Sequence, residues 1–367
     1  MYDIGRSKRA ERGFSLDDIA IVPSRRTRGI EEVDLTWTID ALTFGFPVIA
    51  APMDSIMSPE TAIAVGRLGG LGVLNLEGIW TRYEDPEPLL AELADVADPV
   101  QATRRLQQVY AEPIKPELIR ERVAQIRTAG VPVAGSLSPQ NTQEFASDVV
   151  AAGPDFFVIR GTVVSAEHVS SRHEPLNLKK FIYELDVPVI VGGCATHQSA
   201  LHLMRTGAAG VLVGFGGAAT HTTREVLGIE VPMATAISDV AEARRDYLDE
   251  SGGRYVHVIA DGAVGRSGDM AKAIACGADA VMVGAPLAKA TEAPGGGYHW
   301  GPEAWHQDLP RGQRVKFPTV GTMEEVLIGP SHTADGTMNL VGALKRAMAT
   351  TGYTEVKEFQ RVELVVH

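Results

Sequence analysis

Cys276-Gly-Ala-Asp-Ala-Val-Met-Val-Gly284 carries the reading of the fold in nine residues. A helix ends at a small-residue turn. Gly277 supplies the left-handed backbone that closes such a helix, and an apolar run follows with no polar alternation. Continuous hydrophobicity of this kind belongs to a strand covered on both faces. The same grammar recurs in Thr206-Gly-Ala-Ala-Gly-Val-Leu-Val-Gly214 and in Ala151-Ala-Gly-Pro-Asp-Phe-Phe-Val-Ile-Arg-Gly161. A repeated helix-turn-strand unit predicts a fold assembled from βα repeats.

Working outward, the apolar runs fall at 47–51, 71–76, 131–136, 156–160, 187–192, 210–214, 255–260 and 280–284. Most are followed by a stretch long enough for a helix. These βα units predict a (β/α)8 TIM barrel, α/β in class, as one domain over residues 1–367. An open doubly wound sheet also repeats βα units. It is disfavoured by the strand number and by the lack of a Gly-x-Gly-x-x-Gly fingerprint after the first strand.

Two segments stand outside the units. Residues 79–126 are charged, carry Pro86, Pro88, Pro113 and Pro116, and read as a helical insertion. Residues 292–336 are rich in Gly and Pro and hold Tyr298, His299, Trp300, Trp305 and His306. That long segment reads as a flap-like loop over a site or as an excursion used for subunit contacts.

Composition narrows the function. The chain has 367 residues, is 45% hydrophobic and has a net charge of −12, so it is globular and ill suited to nucleic acid. Arg25, Arg26 and Arg28 are too few to change that and read as a solvated loop. The two cysteines, Cys194 and Cys276, point to a reducing, cytoplasmic setting rather than a disulfide framework. No apolar run reaches membrane-spanning length, and the first dozen residues are charged, without a signal-peptide core. No nucleic-acid or membrane partner is expected.

In a barrel the carboxyl ends of the strands build the active site. Asp54, Asn75, Glu77, Arg160, the Gly192-Gly193-Cys194 stretch, the 214–223 loop, Asp261, Gly262, Gly284 and Ala285 should therefore share one mouth. Several of these ends carry glycine, which lets backbone amides approach phosphate oxygens. Asp261 is placed to accept a ribose diol, or else to cap the following helix. A phosphorylated small molecule is the ligand class this pattern predicts. His221, His257, His299 and His306 have no tight helical pairing and no companion ligand cluster, so no metal site is expected. Tyr298, Trp300 and Trp305 either stack on a ligand or anchor the long loop.

The ordered motifs resemble the IMP dehydrogenase/GMP reductase family. They are Phe14-Ser-Leu-Asp-Asp-Ile-Ala-Ile-Val-Pro23, Ala50-Ala-Pro-Met-Asp-Ser55, Gly69-Gly-Leu-Gly-Val-Leu74, Val189-Ile-Val-Gly-Gly193, Gly214 to Arg224, Ile259-Ala-Asp-Gly262 and Thr291-Glu-Ala-Pro-Gly295. The likeness is greatest to the actinobacterial members without CBS domains, and the insertion 79–126 stands where that module would be. The resemblance implies NAD-dependent oxidation of IMP to XMP, in guanine nucleotide synthesis, with a monovalent cation such as potassium. It implies a homo-oligomer, a tetramer, and a catalytic paralogue as a candidate partner. It puts Met53 against the base, Asp261 on the ribose, Gly262 in the substrate site, and Gly216, Gly217 and Gly284 on the phosphate. It puts Arg160, Gly161 and Thr162 at the nicotinamide riboside, Thr223 beside the reacting carbon, and Arg311 or Arg314 as the flap arginine.

Several positions depart from the family. His221 stands where the cysteine nucleophile is expected. Ala219 and Ala285 replace phosphate-contacting serines, Ala263 a phosphate-contacting glycine and Ala51 a serine beside the base. Arg160-Gly161-Thr162 takes the place of an Asp-Ser/Thr pair. Two readings of His221 stand open: a general base for water, or a side chain that plugs the old nucleophile site. An imidazole nucleophile is disfavoured by its bulk. Cys194 offers a substitute thiol if the following helix lowers its pKa. Two functions follow. One is an oxidoreductase of IMP dehydrogenase type; the other is a nucleotide-binding or regulatory paralogue without redox chemistry.

Overall fold

The computed structural model describes residues 2–169, 175–215, 219–220, 223–306 and 314–367. Eight parallel strands close into a barrel: β1 (Val48–Ala50), β2 (Leu71–Asn75), β3 (Ala134–Leu137), β4 (Phe156–Arg160), β5 (Val189–Cys194), β6 (Gly210–Val213), β7 (His257–Asp261) and β8 (Ala280–Val283). Each strand pairs with the next in sequence. The ring shuts where Val283 of β8 lies beside Ala50 of β1. All eight runs expected to be strands are barrel strands. Four start later than expected, at Val48, Ala134, Val189 and His257; in the first three Pro47, Pro132 and Pro188 have no N–H to give the ladder.

The units are punctuated by side chains as well as by glycine. Ser58, Ser138 and Thr196 cap α1 (Pro59–Leu68), α5 (Pro139–Ala152) and α7 (His197–Met204), accepting from Thr61, Asn141 and Ser199 amides at 3.1, 3.4 and 3.2 Å. A cap of this kind contributes about 1 kcal/mol. At the other end of the repeat, Gly153, Gly207 and Gly277 take φ of 71°, 99° and 116°, conformations that cost a side chain dearly.

β2 is joined to β3 by α2 (Glu87–Asp95), α3 (Pro99–Val109) and α4 (Pro116–Thr128), with no CBS module between them. The long segment after β8 contains an antiparallel pair, Tyr298–Trp300 with Arg314–Lys316. Arg314 reaches from it to the carbonyls of Leu93 and Val96, and its guanidinium lies 3.7 Å from the Tyr298 ring centroid. The rest of the shell includes α9 (Met233–Glu250) and α10 (Ser267–Ala275). At the amino ends of β7 and β8, Asp279 joins Arg244, Tyr255 and the Val258 amide in one buried cluster. No helix is long and apolar enough to cross a membrane among the described residues.

Candidate functional site

The carboxyl ends of the strands enclose a cavity of about 320 Å3. Met53, Arg160, Asp261, Gly262, Gly284 and His299 line it, together with Ala51, Ala219, Ala263 and Ala285. A second chamber, about 40 Å3, shares Met53 and Arg160 with the first and is closed by Asp54, Tyr110, Trp300 and Trp305. A larger cleft of about 770 Å3 lies on the flank of α9 and α10, among Arg12, Tyr255 and Lys357. Size does not make it the site: strand ends, not helix flanks, gather a barrel's chemistry.

Arg160 and Asp261 meet at the centre. The Nε of Arg160 donates to Asp261 Oδ2 at 2.8 Å, and Nη2 donates to Oδ1 at 3.3 Å. Both side chains are about nine-tenths covered, at 12% and 11% exposure. Burial works against the guanidinium charge, but the carboxylate beside it prevails and holds the Arg160 pKa above its ordinary value. Thr162, next but one along the chain, donates to Glu303 Oε1 at 3.2 Å. Gly161 exchanges backbone hydrogen bonds with β5. Asp261 does not cap α10, because Asp269 already accepts the Gly265 and Arg266 amides.

Ala263 takes φ of 56° at the cavity wall, a left-handed geometry that glycine adopts freely. Ala263→Gly is expected to stabilise the protein by about 0.5–1 kcal/mol, the strain relieved exceeding the added freedom of the unfolded chain. Chemical denaturation checks this; a loss of stability refutes it.

The aromatic residues of the long segment anchor it. Trp305 stacks on Tyr110 with centroids 4.5 Å apart and planes 7° apart. Trp300 Nε1 donates to the Tyr110 hydroxyl at 3.0 Å, and that hydroxyl donates to Asp54 Oδ2 at 2.6 Å. Asp54 is buried, and desolvation lifts its pKa to about 6 against the hydrogen bonds from Tyr110, Ile79 and Asn75. His299 is buried as well, with Nδ1 2.9 Å from Ser55 Oγ. His257 Nδ1 accepts from Trp37 Nε1 at 3.2 Å, at the opposite end of the barrel.

Met53, Arg160, Asp261, Gly262 and Gly284 thus converge on one cavity. Thr162 is turned toward Glu303 instead. Thr223 is buried at the start of the short helix α8 (Thr223–Leu227). His221, Gly216, Gly217 and Arg311 lie outside the described residues. Arg314 is tied to the helix carbonyls below the loop. Cys194 is not a substitute thiol. It is 1% exposed, donates to the Leu212 carbonyl at 3.4 Å, and burial pushes its pKa to about 12. The helix expected to lower it begins only at His197, behind the Thr196 cap. Cys276 closes α10, and burial raises its thiol to about 12 too.

Sequence reasoning passed over Tyr110, Ser55 and Glu303. Tyr110 sits in the helical insertion with nothing local to mark it. Glu303 carries a readable signal: a lone acid between two tryptophans, Trp300 and Trp305.

A family model described as IMP dehydrogenase/GMP reductase domain matches residues 13–304. An uncharacterized oxidoreductase of Mycolicibacterium smegmatis is 55% identical over 373 residues, covering all of both chains. One of Mycobacterium tuberculosis is 54% identical over 374 residues, again over the whole of both. The inosine-5'-monophosphate dehydrogenase of Methanocaldococcus jannaschii is 25% identical over 471 residues, covering 96% of this chain and 92% of its own. The crystal structure of an IMP dehydrogenase/GMP reductase-like protein from Corynebacterium glutamicum superposes with a TM-score of 0.94 at 51% identity, covering all of this chain and 97% of that one.

Proposed function

Since the chain belongs to the IMP dehydrogenase/GMP reductase family, we propose that it binds a purine nucleotide, IMP, XMP or GMP, in the cavity at the barrel mouth. One observation carries this reading: Met53, Asp261, Gly262 and Gly284, assigned by resemblance to base, ribose and phosphate, line a single cavity of about 320 Å3. That volume suits a small ligand. Gly284 leaves backbone open to a phosphate, and Met53 gives a base an apolar face.

The family reaction, oxidation of IMP to XMP by NAD, is the chemistry suggested by relatives called oxidoreductases and dehydrogenases. The residues here fit that cofactor poorly. Arg160 and Thr162, matched to the nicotinamide riboside, are engaged by Asp261 and Glu303. The chamber beside Arg160 is about 40 Å3, room for a water or two but not for a ring. Both cysteine thiols are held protonated by burial. These observations favour a second reading over thiol-dependent oxidation: a nucleotide-binding, regulatory paralogue of an active IMP dehydrogenase. In that reading His221 fills the former nucleophile position. Residues 79–126 replace the CBS module, residues 292–336 act as a flap, and the protein works as a cytoplasmic homotetramer.

Thermal unfolding against IMP, XMP and GMP, with and without NAD(H), tests this. A ligand bound only by the folded protein raises the midpoint in proportion to the logarithm of its concentration over Kd. A rise with at least one nucleotide, and no NADH formed from IMP, is expected. No rise with any of the three ends the nucleotide reading, and steady NADH production ends the regulatory one.

A further inference from the structure

We propose that Arg160 is a displaceable occupant of the sugar-recognition carboxylate, and that ribonucleotide binding moves its guanidinium from Asp261 to Glu303. This rests on the nucleotide reading above and deepens it. A vicinal diol is recognised by a carboxylate that accepts two hydrogen bonds. In this barrel both Asp261 oxygens already accept from Arg160, through Nε and Nη2 at 2.8 and 3.3 Å. A fork of this kind satisfies the geometry that the diol needs. Each oxygen can accept a further donor, but a fork and a diol both approach across the same edge between the two oxygens, so sugar and guanidinium compete for that edge.

The displaced group cannot be left alone, because a buried guanidinium without a counter-charge is strongly disfavoured. Glu303 provides the alternative. It is 2% exposed and tied by Thr162, which leaves the same strand end as Arg160. Arg160 also lines the chamber walled by Gly301 and Pro302, the two residues before Glu303. The Glu303 charge acts on Arg160 already in the present arrangement. An exchange of partners conserves charge at every stage. It also reaches the loop, since Glu303 lies between Trp300 and Trp305, the two residues held by Tyr110. Ligand entry is thereby coupled to residues 300–305. Until then the ion pair lowers apparent affinity, as any equilibrium favouring the incompetent state does.

Isothermal calorimetry of IMP and 2'-deoxy-IMP on the full chain, as wild type, Arg160→Met, Glu303→Gln and the double variant, tests the exchange. Arg160→Met is expected to bind IMP at least tenfold more tightly than wild type. It should also prefer IMP to the deoxy form by at least tenfold, whereas wild type discriminates little. Glu303→Gln should weaken IMP binding at least fivefold in the wild-type background and not in Arg160→Met. Arg160→Lys, which cannot fork both oxygens, should shift the same way by a smaller factor, and it serves if the methionine variant does not fold. Wild-type binding that is equalled or weakened by Arg160→Met and Arg160→Lys overturns the exchange while leaving the nucleotide reading intact. So does an equal effect of Glu303→Gln in both backgrounds. Absence of binding in every form overturns both.

Discussion

Asp279→Ala is expected to cost the barrel about 3–5 kcal/mol, the range for removing one partner of a buried ion pair. Asp279 Oδ2 accepts from Arg244 Nη1 at 2.6 Å and from the Val258 amide at 2.8 Å. Its Oδ1 accepts from the Tyr255 hydroxyl at 2.6 Å and from Gln360 Nε2 at 3.1 Å. The two charged side chains are 3% and 9% exposed, so water screens almost none of this. Truncation strands the Arg244 charge and three further donors at once. The cluster ties β7, β8, α9 and the C-terminal segment together at the end of the barrel remote from the cavity. Denaturant midpoints should therefore fall steeply while nucleotide affinity, measured well below the transition, stays as in wild type. A loss under 1 kcal/mol would mean that the cluster does not hold these elements. Asp279→Leu with Arg244→Met should recover only the part due to the stranded Arg244 charge, because the Tyr255, Val258 and Gln360 donors stay unpaired.

The second large effect is a pH dependence from Asp54. Its folded pKa, about 6, stands above the ordinary value of 3.8 because burial penalises the carboxylate more than Tyr110, Ile79 and Asn75 favour it. The folded state thus binds this proton more tightly than the unfolded state does. The group is neutral in both states well below pH 3.8; as pH climbs through 3.8 toward 6, stability is lost, and well above 6 the full penalty applies. The penalty is about 3 kcal/mol at 1.36 kcal/mol per unit, before any relaxation of the site. Asp54→Asn carries no such charge. Measured side by side from pH 4 to pH 7.5, wild type should lose about 2.5 kcal/mol relative to the variant, most of it before pH 6.5. Parallel profiles would show that Asp54 titrates normally. Tyr110→Phe removes the closest donor to the carboxylate and should move the window upward.

The barrel was legible because its signal is local and repeated. The run Ala-Val-Met-Val before Gly284 and its counterparts each announce a strand without reference to any other part of the chain. Of the four starts that moved, three lie just past Pro47, Pro132 and Pro188, whose missing N–H an apolar pattern does not register, and the fourth, at His257, has no proline beside it. The membership of the mouth followed from topology, since strand ends in a closed parallel barrel share one side. What stayed hidden was pairing across distance. Nothing near Arg160 indicates that its partner is Asp261, 101 positions on, and the two were assigned to different ligands. Tyr110 likewise gains its meaning only from Asp54 and Trp300, which reach it from two other segments. Cys194 shows the remaining difficulty. Its place at a strand end was readable, but the direction of its side chain, toward the Leu212 carbonyl, depends on the pleat and register of β5.

The Tyr110 anchor has an optical consequence. The chain has four tryptophans, and two of them, Trp300 and Trp305, wall the chamber beside the candidate ligand site. One gives its indole N–H to a phenol that is itself bonded to a carboxylate, and the other lies flat on that phenol's ring. Emission from both indoles depends on how that phenol is held. Any ligand that shifts the loop alters their environment, whereas Trp37, bonded to His257 at the far end of the barrel, supplies a constant background. The protein carries its own unlabelled fluorescent gauge of whether the mouth is occupied.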